Sequence, residues 1–206
     1  MRLLPIALSM LALIGAAVPL RAEWVAVDPD SDAVVASGVM VVKAADGWNL
    51  SKARPSQRGD RWTRDGLALN ELTFFAAIRE GEAIYYQPAA IEQDLPKFRS
   101  KMLLTDLVEL FENTNRIMLG TSVFSVVTVE PTQLEKHAAV RFSYSYAAQD
   151  EGVTRKGEAV AAIINGQMYL VNFVAPAIHY FDRDIAEIRQ MIATLQLRPP
   201  KAAKPR

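Results

Sequence analysis

Residues 47–62, GWNLSKARPSQRGDRW, place four cations, Lys52, Arg54, Arg58 and Arg61, between Trp48 and Trp62, with Asp60 the single acid. Clustered guanidinium and ammonium groups bind phosphate or carboxylate by charge-assisted hydrogen bonds, and an indole face receives a cation beside them. Arg64 follows just beyond. The pattern fits a site for an anion. It also fits a hairpin in which Pro55 and Gly59 turn the chain, the charges are solvated and both indoles enter the core.

A second set lies in HYFDRD, residues 179–184, where His179 has Asp182 and Asp184 close in sequence. A histidine oriented by a carboxylate serves as a general base or a metal ligand. The chain has one other histidine, His137, no cysteine, and no serine in a G-x-S-x-G pattern. A thiol nucleophile, a cysteine-ligated zinc and a lipid-modified cysteine are thereby excluded. With that ligand set incomplete, His179 reads first as a helix-entry residue followed by capping acids, with Asp184 and Glu187 at capping-box spacing.

Two further patterns are weaker. DPDSD, residues 28–32, alternates Asp28, Asp30 and Asp32 as a calcium loop does, but Ala33 stands at the glycine position and Val39 at the bidentate-acid position. Tyr144, Tyr146 and Tyr169 can line a pocket, although their spacing also suits sheet packing. No glycine-rich phosphate loop occurs, and no cofactor or metal is expected.

The ends of the chain bear on location. Arg2, an apolar run over residues 3–18, Pro19 and Ala22 read as an export signal cleaved after residue 22, with an uncleaved anchor as the alternative. Removing that leader takes away Arg2 and Arg21 and leaves 21 basic against 23 acidic side chains. A slightly acidic exported chain is not expected to bind nucleic acid. The expected organisation is a signal peptide at 1–22, a flexible acidic segment at 23–33, one domain at 34–197 and a disordered basic tail at 198–206. No transmembrane segment is expected after cleavage. The periplasm is the expected compartment, with secretion as a second option.

These groups must be positioned by the elements between them. Residues 34–42 and 67–78 read as buried strands, and 95–112 as a helix capped by Asp94 with Leu103, Leu107, Leu110 and Phe111 on its apolar face. Strands are then expected near 123–130, 138–147, 154–164 and 167–175. Asn165-Gly166 makes the tight turn between the last two. A final helix carries Ile185, Ile188, Ile192 and Leu195 on one face. Segregated elements of this kind predict an α+β domain with an antiparallel sheet flanked by helices.

The GW at 47–48, the central helix, the hairpin RKGEAVAAIINGQMYLVNFVAP at 155–176 and the closing helix resemble the PsbP and Mog-type Ran-binding proteins, a sandwich of antiparallel sheet and helices. HYFD before the last helix is also similar to exported proteobacterial proteins of uncharacterised role. The resemblance implies a non-catalytic protein that binds protein partners. The resulting expectation is an exported binding or adaptor domain of the cell envelope, with a protein or an anionic envelope component as its partner. The alternatives are a small hydrolase or metal-assisted enzyme using His179 and Asp182, and an envelope-attached structural factor.

Overall fold

The computed structural model describes residues 24–88, 91, 94–147 and 152–198. The expected leader and the basic tail beyond Arg198 lie outside the described residues. In chain order the elements are β1 (Trp24–Ala26), β2 (Asp32–Val35), β3 (Met40–Lys43), β4 (Asn49–Ser51), β5 (Gly59–Thr63), β6 (Glu71–Ile78), α1 (Leu104–Leu119), β7 (Phe124–Leu134), β8 (His137–Ala147), β9 (Thr154–Ile164), β10 (Gln167–Pro176), α2 (Tyr180–Ala193) and β11 (Gln196–Leu197).

Eight strands form one antiparallel sheet in the order β1-β4-β5-β6-β10-β9-β8-β7, and β11-β3-β2 form a second, smaller sheet. Alternation along each strand sorts side chains between two cores. On one face Tyr169, Val171 and Phe173 of β10 pack with Val160 of β9, α2 and the small sheet. On the other, Met168 and Leu170 join Phe142 and Tyr144 of β8 beneath Leu107 and Phe111 of α1. Helices thus flank the sheet on both sides, as expected, and the small sheet is an addition that sequence patterning did not show.

The hairpin turn is where expected: Asn165 and Gly166 have φ of 51° and 71°, the positive pair that a two-residue turn requires. The 34–42 run is a correction. It is two strands, β2 and β3, turned by consecutive positive φ values at Ala36, Ser37 and Gly38. The turn is held from outside, since Ala36 N–H donates to Asp60 Oδ2 at 2.7 Å and Ser37 Oγ to Gln57 O at 3.1 Å. The 23–33 segment, expected to be flexible, contains β1 paired to β4 and the start of β2.

The first helix also begins later than the sequence suggests. Residues 95–98 are not helical, because Phe98 exchanges backbone hydrogen bonds with Gly81 and Glu82 and is fully buried. The helix starts after Leu103, whose N–H donates to Asp106 Oδ2 at 2.8 Å, and stops at Gly120 in the left-handed conformation. Among the described residues no helix is long and apolar enough to cross a membrane.

Candidate functional site

Pairing of β4 with β5 sets Leu50 opposite Trp62 and brings the two indoles of the opening motif into one core, each 1% exposed. Trp62 packs edge-on against Phe74 at 5.0 Å, and Trp48 against Phe173 at 6.5 Å. The cations between them divide. Arg54 lies 3.1 Å from Asp60 and donates to Gly59 O and Ser37 Oγ, bracing the β2–β3 turn. Arg58 reaches Glu82 at 3.1 Å and Arg61 reaches Glu71 at 3.0 Å, toward the α1 side. Lys52 is exposed on the same loop. The structure therefore spreads these side chains over both sides of the sheet and gives each of the three arginines a carboxylate.

Arg64 belongs to a different construction. Its guanidinium sits 5.0 Å from the Trp48 ring and bonds Asp184 and Glu187 of α2. Asn70, fully buried, accepts from Thr63 Oγ1 and from the N–H groups of Arg64 and Asp65, and donates to Asp65 and Asp184. Arg183 closes the cluster onto Asp65 and Asp184. Burial opposes ionisation of Asp65, but the hydrogen bond and charge of Arg183 outweigh it and hold this carboxyl below its ordinary range. Bonds to Asp184 and Asp65 likewise raise the Arg183 guanidinium.

This cluster ties α2 to the β5–β6 connection, and it corrects the reading of Asp184 as a capping acid. Asp184 lies inside the helix and is 1% exposed. The signal was present in the sequence: Phe181, Asp184, Ile188 and Met191 form one buried stripe, so a carboxylate stands where an apolar residue is expected.

His179 precedes α2 with φ 70° and ψ −60°, and Tyr180 N–H bonds Ile178 O at 2.9 Å, a tight three-residue turn. The described contacts place no hydrogen bond between His179 and Asp182. The imidazole is edge-on to Tyr180, while Asp182, largely exposed, lies 3.5 Å from Lys156 Nζ. Among the described residues no group of three or more His, Asp or Glu side chains could hold a metal.

Apart from Tyr144, the residues that line an open cleft are ones the sequence did not single out as site residues. A trough of about 520 Å³ runs between α2 and β7, floored by β8 and β9. Alternation puts Arg141, Ser143 and Ser145 on the α2 side of β8, opposite Val160, Glu158 and Lys156 of β9. Glu158, 5% exposed, is gripped by both arms of Arg189 at 2.9 and 2.5 Å, with Arg141 at 3.7 Å. Lys156 lies 5.9 Å over the Phe181 ring at the other end. A bulge between Val126 and Thr128 adds a residue to β7, and Val127 thereby lines the trough beside Thr128, whose hydroxyl bonds Ser143 at 2.7 Å. The result is a hydroxyl floor with apolar sides and paired charges of both signs. Tyr144 touches the trough but packs its ring, like that of Tyr146, into the α1-side core, and Tyr169 enters the α2-side core.

No family model matches the chain, and no curated protein matches it. Among solved structures it is similar to the cyanobacterial PsbP (CyanoP) of Synechocystis sp. PCC 6803, with 14% identity over 90% of this chain and 99% of that one at a TM-score of 0.48. It is also similar to the Ran-binding protein Mog1p of Saccharomyces cerevisiae, at 8% identity over 81% and 94% with a TM-score of 0.47. The chain is similar in fold to PsbP and Mog-type proteins. It also spans 50% of the length of a Bacteroides thetaiotaomicron VPI-5482 protein, at 10% identity over 84% of this chain and a TM-score of 0.48. At such identities the likeness to PsbP and Mog-type chains is one of fold.

Proposed function

We propose that this protein is an exported, non-enzymatic binding domain of the bacterial cell envelope, working in the periplasm, and that it holds a protein partner in the trough between α2 and β7. One observation carries the reading. The trough combines an apolar side at Val127, hydroxyls at Thr128, Ser143 and Ser145, and pre-paired charges of both signs. That mixture complements polypeptide, which offers apolar side chains, amides and both charges, better than it complements a uniformly anionic surface. Export rests on the leader pattern, and a mature terminus at or beside Glu23 in material from the periplasmic fraction is its test.

A second reading keeps an anionic envelope component at the cation loop. Its setting is a depression of about 270 Å³ where Arg58, paired with Glu82, stands beside Gln57 and the exposed Tyr86.

Retention of envelope proteins on immobilised full chain separates the two. Ser143→Trp, which fills the trough floor, is expected to abolish retention, whereas joint replacement of Arg54, Arg58 and Arg61 by Ser leaves it. The reverse outcome, with retention falling as salt rises, would move the site to the loop. Retention unchanged by both sets would overturn both readings.

A further inference from the structure

Resting on that reading of the trough, we infer that the part of the partner it receives is a free C-terminus, whose terminal carboxylate docks on Arg141 at the closed end. The trough is blind at one end and open at the other. Val160 stands opposite Arg141, and Ala139 and Leu134 continue the same face beyond it. All three are at most 1% exposed and belong to one core with Met191 of α2 and Leu195 just after it, so the floor passes beneath packed side chains there. At the other end Thr154, Lys156 and Asp182 are exposed. A chain can enter only from that mouth.

Charge divides the same way. At the mouth Lys156 is met by Asp182 at 3.5 Å. At the closed end two guanidiniums share one buried carboxylate, which leaves one positive charge in excess. Arg189 gives Nε and Nη2 to the two oxygens of Glu158. Arg141 is left under-used: its Nε stands 3.7 Å from Glu158 without a hydrogen-bond partner, and its Nη2 makes one long bond to Thr132 Oγ1 at 3.4 Å. Its side chain lines the trough and is 37% exposed. Glu130, opposite Arg141 on β7, is exposed and forms no ion pair with it among the described residues.

A carboxylate meeting the Nη atoms of Arg141 makes the charge-assisted bonds that Glu158, already held by Arg189, does not supply. Because a polypeptide entering at the mouth has no path past Ala139, the anionic group that reaches Arg141 is the one at which a chain ends. The floor from Ser145 to Arg141 is about 14 Å long, the span of about four extended residues. Between its ends, the bond joining Thr128 and Ser143 uses one of their two hydroxyl protons. The other remains for the last peptide carbonyl of the incoming chain.

The probe is a random heptapeptide library displayed with free C-termini and selected on the immobilised full chain, with enriched sequences then synthesised both as free acids and as C-terminal amides. In solution the amide is expected to bind about ten-fold more weakly or worse, and Arg141→Gln to weaken the free acid to the same level. Lys101→Gln, on the α1 side, should change neither. The comparison of acid with amide needs no variant, and in wild type only the acid should shift the Arg141 Nε–H resonance. Acid and amide binding alike would overturn the inference, as would a preference for the acid that survives Arg141→Gln in a folded chain. Peptides that bind as acid and amide alike but are lost on Ser143→Trp would leave the trough reading standing with another group of the partner inside it. Peptides indifferent to Ser143→Trp as well would remove both. Failure to enrich any sequence would overturn the inference alone, since retention of envelope proteins by Ser143→Trp still decides the trough reading.

Discussion

Gly157 of β9 lies directly under the ring of Tyr144 on β8: a Cβ placed there would stand 2.1 Å from Tyr144 Cζ. The two residues are register partners, and the missing side chain lets the ring lie flat over β9 so that its hydroxyl donates to Asn172 Oδ1 of β10 at 2.7 Å. Gly157→Ala should displace the ring and break that bond, at a cost of about 1–3 kcal/mol from overpacking. Urea unfolding is expected to show a lower midpoint with an unchanged slope.

The Asn70 cluster leads to a second expectation. Asn70→Ala removes the acceptor of the part-buried Arg64 and Asp65 N–H groups and a donor to the buried Asp184 carboxylate, and a buried group left unsatisfied costs about 1–3 kcal/mol. Because Asp184 belongs to α2, the damage should appear as early amide exchange in α2 as well as a lower melting temperature, whereas exchange in α1 stays as in wild type.

Two carboxyls pull the pH dependence in opposite directions. Asp65 is held below its ordinary 3.8, so its stabilisation is present above that pH and is lost as pH falls through the lowered value. Glu71, only one-fifth exposed, is raised above 4.5 by burial that the Arg61 charge offsets in part. The folded state therefore holds that proton more tightly than the unfolded chain, and stability falls as pH rises from 4.5 through the raised value. Denaturation series across mild acid are expected to show this fall in wild type and to lose it in Glu71→Gln. A series in the variant parallel to wild type would contradict the assignment.

Much of the fold was legible because its signals are local. The alternation of Val140, Phe142, Tyr144 and Tyr146, and the Asn165-Gly166 pair, depend only on neighbours along the chain. The β2–β3 turn was missed although Ser37-Gly38 is a turn pair, because it sits inside an apolar run and its positive φ at Ala36 and Ser37 is held by Asp60, Gln57 and Arg54 from another hairpin. Asp94 and Pro96 imitated a helix start because pairing of Phe98 with Gly81 and Glu82 is a long-range fact. Candidate-site residues suffered the same way. Loop cations are conspicuous in sequence whatever they pair with, whereas Arg141, Ser143, Lys156 and Glu158 look like the ordinary polar face of strands until α2 and the β7 bulge enclose them.

Site-specific photo-crosslinking in cells making the full chain tests the central claim most directly. A photoreactive residue at Ser145, on the trough floor, should yield a discrete crosslinked protein that disappears when Ser143→Trp is added. The same probe at Lys101, on the α1 side, should yield none. Crosslinks of equal strength from Lys101, or a Ser145 product indifferent to Ser143→Trp, would contradict the placement of the partner in the trough.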